Sequence, residues 1–85
     1  MPFPLKYLGF YAAKKDFNSA PGYGGAAHFK KGKLLQYQKT TNNIHGMMEI
    51  ISFNDWNTKE PLIWHVDTNE LYDRWQDYLE PAKFG

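Results

Sequence analysis

Apolar side chains recur at Leu71, Trp75, Tyr78 and Leu79, a spacing that places them on one stripe of a 3.6-residue helix, with Tyr72 at its margin. Asp67, just ahead of the stripe, is suited to an N-cap, since its carboxylate can accept an otherwise unpaired backbone N–H. Glu70 three residues on completes a capping box, and Val66 with Leu71 supplies a hydrophobic staple. Pro81 is expected to end the element because its ring cannot continue the hydrogen-bond ladder. Val66 to Pro81 therefore reads as a capped amphipathic helix.

Upstream the period changes. Leu5 to Ala12 is short and aromatic-rich and reads as a strand with Gly9 at a bulge or close approach. Lys14 to Gly25 gathers Asn18, Ser19, Pro21, Gly22, Gly24 and Gly25 with no sustained period, which indicates a long loop. Ala26 to Lys30 and Lys33 to Thr41 flank Lys31-Gly32, a candidate tight turn. If Asn42-Asn43 makes a two-residue turn, Tyr37 opposes Met48 and Leu35 opposes Ile50 on one face, with Gln36 opposite Glu49 on the other. Leu34 and Ile51 also face each other, so the second face is not purely polar. Strands of about 33–41 and 44–53 follow, then a connector from Asn54 to Pro61 and a last strand, Leu62 to Val66, that enters the helix directly. The expectation is an α+β domain spanning 1–85: a small antiparallel sheet of four to five short strands in a meander, with one C-terminal amphipathic helix packed on one face.

Composition tightens this picture. In 85 residues there is no cysteine, hence no disulfide and no thiolate metal site, while six phenylalanines, six tyrosines and three tryptophans are available to build a core. Pro2, Pro4 and Lys6 interrupt the apolar N-terminal stretch, which is too short to span a bilayer, so a soluble, cytoplasmic protein without a membrane partner is expected. The net charge of +1 conceals two unlike halves. Residues 1–40 carry seven lysines against Asp16 alone, whereas residues 41–85 carry Lys59, Arg74 and Lys83 against eight carboxylates. Opposite-signed halves either attract one another within the fold, dock head to tail between copies, or select charged partners.

Candidate chemistry is sparse. Pro21-Gly22-Tyr23-Gly24-Gly25 resembles a phosphate cradle in its glycines but lacks the preceding strand, following helix and lysine of a phosphate-binding loop, so a plain turn is the better reading. His28, His45, His65 and Asp67 match no metal-ligand spacing. Ser19 and Ser52 have no legible base, and the carboxylate pair Glu49 and Glu60 is of a kind any short chain offers. No catalytic residue, metal or cofactor is assigned, and the chain is expected not to be an enzyme.

Two surfaces remain. Asp73, Asp77 and Glu80 repeat along the solvent side of the helix with only Arg74 near, itself set to pair with Glu70. Such a stripe suits a basic protein surface, with Trp56 in its connector as an aromatic anchor. On this basis the chain is expected to be a non-enzymatic protein-binding module, an inhibitor or adaptor of the mobile-element type, docking a basic, nucleic-acid-handling partner. The alternative is single-stranded nucleic-acid binding by Lys30, Lys31 and Lys33, with Phe29 and Tyr37 stacking bases.

Overall fold

Buried and half-buried side chains alternate without a break along β5 (Met48–Asp55), the strand around which the sheet is arranged. The computed structural model describes residues 3–19, 27–43 and 47–82. Flanking β5 are β4 (Leu34–Asn43) and β6 (Pro61–Asp67), both antiparallel to it. Beyond β4 come β1 (Phe10–Ala13) and β7 (Leu79–Pro81), giving the order β6-β5-β4-β1-β7. A separate ribbon pairs β2 (Phe17–Asn18) with β3 (His28–Phe29), and α1 (Thr68–Tyr78) links β6 to β7. The chain thus folds as an α+β domain, a small antiparallel sheet of five strands with a C-terminal helix.

One face of the sheet makes the core. Glu49, Ile51, Phe53 and Asp55 are the buried residues of β5, and their cross-strand partners include Val66, Trp64 and Leu62 on β6 and Tyr37 and Leu35 on β4. Leu71 of α1 is fully buried in the same cluster, and Trp75 meets Tyr11 of β1 edge-on at 6.1 Å. Phe17 stacks on Phe29 at 4.7 Å and reaches Trp64 at 5.2 Å and Tyr78 at 5.1 Å, so the ribbon fills the core beside the helix. Each large apolar side chain fully buried this way contributes about 1.5–3 kcal/mol, which lets a cysteine-free chain hold its shape. On the opposite face Phe10, Ala12, Leu34, Gln36, Ile50, Ser52 and Asn54 are only half-buried.

The helix start follows the Asp67 cap, while the Glu70 carboxylate, expected to complete a capping box, accepts the Tyr78 hydroxyl instead. Asp67 accepts the N–H groups of Asn69 (2.9 Å) and Glu70 (3.2 Å), while Val66 and Leu71 are both buried. The helix end departs from its local signals. Arg74 leaves helical geometry (φ −134°, ψ 16°), and Leu79 is extended, its N–H bonded to Trp75 O. Leu79 then pairs with Ala13 and is buried, so Pro81 belongs to β7 rather than terminating a helix. Burial of Leu79 against the sheet overrides the helical period.

Three strand expectations also change. Asn43 faces Met48, so four residues separate the strand ends in place of a two-residue Asn42-Asn43 turn, and a bulge follows between Tyr37 and Lys39. Tyr37 therefore opposes Phe53, not Met48, and Leu35 opposes Asp55, not Ile50. Consecutive Ile50 and Ile51 give β5 apolar residues on both faces, so alternation alone left the register open. The Lys30–Lys33 turn forms, with Lys33 N–H donating to Lys30 O (2.9 Å) and Gly32 at φ +87°, yet β3 pairs with β2 rather than β4. Finally, residues 6–9 of the expected first strand make a tight turn, Gly9 N–H donating to Lys6 O (2.9 Å) with Leu8 at φ +60°.

Candidate partner-binding surface

Sorting charged side chains by what already holds them separates those the fold uses from those it leaves to solvent. Of nine carboxylates in the chain, five accept hydrogen bonds within it. Asp16 takes Lys31 N–H (2.7 Å), Glu49 takes Asn42 Nδ2 (2.8 Å) and the Thr68 hydroxyl, and Asp67 caps α1. Glu70 accepts the Tyr78 hydroxyl (2.8 Å), and that bond, together with burial and the Glu70 charge, raises the tyrosine pKa above its ordinary value. Asp55 binds Lys33 Nζ at 2.7 Å and accepts the N–H groups of Asn57 and Thr58. Burial alone would push the Asp55 carboxyl up, but these bonds and the Lys33 charge together hold it below the ordinary range.

The carboxylates of Glu60, Asp73, Asp77 and Glu80 are the four left, on exposed residues and with no side-chain hydrogen bond or ion pair among the described residues. Three of them are the carboxylates singled out by sequence, but they do not form one helical stripe. Asp73 and Asp77 lie on α1 on either side of the irregular Arg74, whereas Glu80 lies on β7 opposite Ala12. Ala12 alternates with Tyr11 and Ala13, which face the core, so Glu80 belongs to the sheet face away from the helix. There it borders a cleft of about 270 Å³ with Ala12, Ala13, Lys14, Lys31 and Gly32. Nor does Arg74 pair with Glu70: the one salt bridge among the described residues is Lys33–Asp55.

Trp56 is likewise displaced from the expected surface. Its ring is half-buried edge-on against Phe10 (4.9 Å, 81°), and Lys59 Nζ sits 3.1 Å above it. Phe10 precedes the core-facing Tyr11 in β1, so this cluster occupies the face opposite α1 and cannot join Asp73 and Asp77 in a single contact.

The alternative nucleic-acid surface loses its stacking groups. Phe29 is fully buried and Tyr37 nearly so, its hydroxyl bonded to Thr40, because both belong to the core that the ribbon and sheet share. Lys33 is committed to Asp55, leaving Lys30 and Lys31 exposed on the turn.

Part of the charge asymmetry is spent internally, which sequence reading missed. Lys14 donates its N–H to Tyr78 O (2.7 Å) and its Nζ to Gln76 O (3.0 Å), while Lys15 Nζ lies 4.5 Å from the Tyr78 ring. Two lysines from the basic half thus meet the negative end of a helix whose own last turn carries no cation. That absence, beside a Lys-Lys pair elsewhere, was the available signal.

The histidines have structural partners. His28 Nδ1 bonds Asn18 Oδ1, and His65 N–H donates to Ser19 Oγ (2.7 Å), whose hydroxyl lies 3.3 Å from His65 Nδ1. Ser19 and His65 are both buried, and burial pulls the imidazole below its ordinary pKa. No three His, Asp or Glu side chains gather as a metal site among the described residues. His45 and the 21–25 glycine loop lie outside those residues. Among the described residues no helix is long and apolar enough to cross a membrane. Compared with known protein families, curated proteins and solved structures, the chain matches none.

Proposed function

We propose that this chain is a non-enzymatic protein-binding module, an inhibitor or adaptor of the mobile-element type. It acts in the cytoplasm by docking a basic, nucleic-acid-handling partner through the solvent side of α1. The carrying observation is the division of the carboxylates: those the fold needs are hydrogen-bonded, while Asp73 and Asp77 stand exposed and unpaired among the described residues. Two unpaired carboxylates flanking the irregular Arg74 leave a negative surface that a partner's lysine or arginine would neutralise. Complementary potential of this kind speeds and orients encounter more than it adds raw affinity. Glu80 and Trp56 are not part of this surface, and the basic-turn reading is weakened by the burial of Phe29 and Tyr37.

The test is the double charge reversal Asp73→Lys with Asp77→Lys. Exposed substitutions change stability by about 0.5 kcal/mol or less, so the variant should melt like wild type. It should also fail to retain the protein that immobilised wild type captures from its host, and wild-type capture should weaken as salt rises. Full retention by the variant would overturn the acidic-surface reading.

A further inference from the structure

A cleft of about 270 Å³ opens where the end of β1 meets the Lys30–Lys33 turn and Glu80 of β7. Drug-sized ligands occupy about 300–1,000 Å³, so this space suits a small metabolite. Ala12, Ala13 and Gly32 line it without bringing a polar side chain, while Lys14, Lys31 and Glu80 supply two ammonium groups and one carboxylate. The backbone around it is fixed. Gly32 N–H donates to Ala13 O (2.8 Å), Ala13 N–H to Lys33 O (3.0 Å), Lys31 N–H to Asp16 Oδ1 (2.7 Å) and Lys14 N–H to Tyr78 O (2.7 Å). Ala12 and Glu80 are partners in the sheet. Lys14 Nζ is anchored on Gln76 O (3.0 Å), which leaves two of its three N–H groups for a ligand. A molecule entering the cleft therefore has little to order besides the Lys31 and Glu80 side chains.

Opposite charges lining one small space have every reason to pair, yet these do not. Neither ammonium pairs with Glu80, and Lys31 Nζ and the Glu80 carboxylate have no partner among the described residues. Charges held apart around an uncharged lining select a ligand that carries their inverse, two anionic groups and one cationic group. We infer that the cleft binds an acidic α-amino acid, its two carboxylates meeting Lys14 and Lys31 and its ammonium meeting Glu80. A simple dicarboxylate would set negative charge beside Glu80 with nothing to offset it, and a monocarboxylic amino acid would leave one lysine unmatched. Because Glu80 lies on the sheet face away from α1, the site is separate from Asp73 and Asp77 and does not rest on the protein-binding reading above. Lys14, Lys31 and Glu80 are exposed, so each ion pair changes affinity only a few-fold and the dissociation constant falls in the millimolar range.

The experiment titrates L-glutamate into the isotope-labelled full chain and follows its backbone amide resonances. Those of Ala12, Ala13, Lys31 and Gly32 should shift together with a single dissociation constant. Glutarate, which lacks the ammonium, and L-glutamine, which lacks one carboxylate, should each bind at least about three-fold more weakly. Two exposed substitutions then assign the partners, both expected to melt like wild type. Glu80→Gln should erase the preference for glutamate over glutarate, and Lys31→Met the preference for glutamate over glutamine. If either variant melts early, the three-ligand series on wild type decides alone. Absence of shifts at these amides, glutarate or glutamine binding wild type as tightly as glutamate, or a folded Glu80→Gln chain that still prefers glutamate to glutarate would each overturn the inference. None of these results touches the reading of the α1 surface, which the Asp73→Lys/Asp77→Lys pair tests separately.

Discussion

Replacing Asp55 by asparagine tests whether the Lys33–Asp55 pair supports the fold. The two side chains are only 5% and 25% exposed and their contact is 2.7 Å, so Lys33 is partly but not wholly able to turn to water. Asparagine preserves the shape and leaves an oxygen for the N–H groups of Asn57 and Thr58, but it offers the ammonium a neutral amide. Hydrogen bonds to charged groups are worth about 1.5–3 kcal/mol, and partial solvent access places the loss near the middle, about 2 kcal/mol. In a domain of this size that lowers the melting temperature by about 10 °C. The pH dependence follows from the depressed carboxyl. Because the folded pKa lies below the ordinary 3.8, the ionised form is favoured by folding. Its contribution is complete above about pH 3.8 and is lost as pH falls through the folded-state value. Urea unfolding of both proteins at pH 6 should therefore show the full gap, and the gap should shrink toward pH 2. Equal stabilities at pH 6, or a gap undiminished at pH 2, would refute the reasoning.

Asp67→Ala removes the cap that accepts Asn69 and Glu70 N–H, and should cost about 1 kcal/mol in thermal melts with the sheet signal retained. Leu71→Ala empties a fully buried site beneath α1 and should cost about 2–5 kcal/mol by urea unfolding, where a loss under 1 kcal/mol would contradict its place in the core. Ser19→Ala leaves the buried His65 N–H without its acceptor and should cost about 1–3 kcal/mol. Burial also lowers the His65 pKa from its ordinary 6.5, so its contribution is complete above about pH 6.5 and falls as pH drops through the folded value. A melting temperature that is flat between pH 7 and 5 in wild type, or equally sloped in His65→Gln, would rule that out.

What the sequence made legible was local. The start of α1 could be read because Asp67 caps N–H groups only two and three residues on, and α+β class followed from the change of period. The end of α1 could not, because Leu79 is drawn into a strand by Ala13, far away in sequence. The same limit misplaced β3: the Lys31-Gly32 turn suggested a hairpin with β4, whose register apolar alternation left open, but the Phe29 ring stacks on Phe17. For the candidate surface, local spacing was enough to put Asp73 and Asp77 on the helix. The faces of Glu80 and Trp56 depend on strand pairing, which local spacing does not give.

The edges of the sheet constrain how any partner engages it. Even-numbered residues of β1 bond toward β7, as the contacts of Lys14 with Tyr78 and Ala82 with Phe10 indicate, so Leu79 and Pro81 point their backbones away from the sheet. Pro81 has no N–H, and that of Leu79 is held by Trp75 O. At the other margin Pro61 again supplies no donor, and the His65 N–H is taken by Ser19. An incoming strand would find few donors to zip onto at either border, which disfavours strand addition and edge-to-edge stacking of copies. Recognition is thereby left to side chains, and concentrated protein is protected from fibre-like growth.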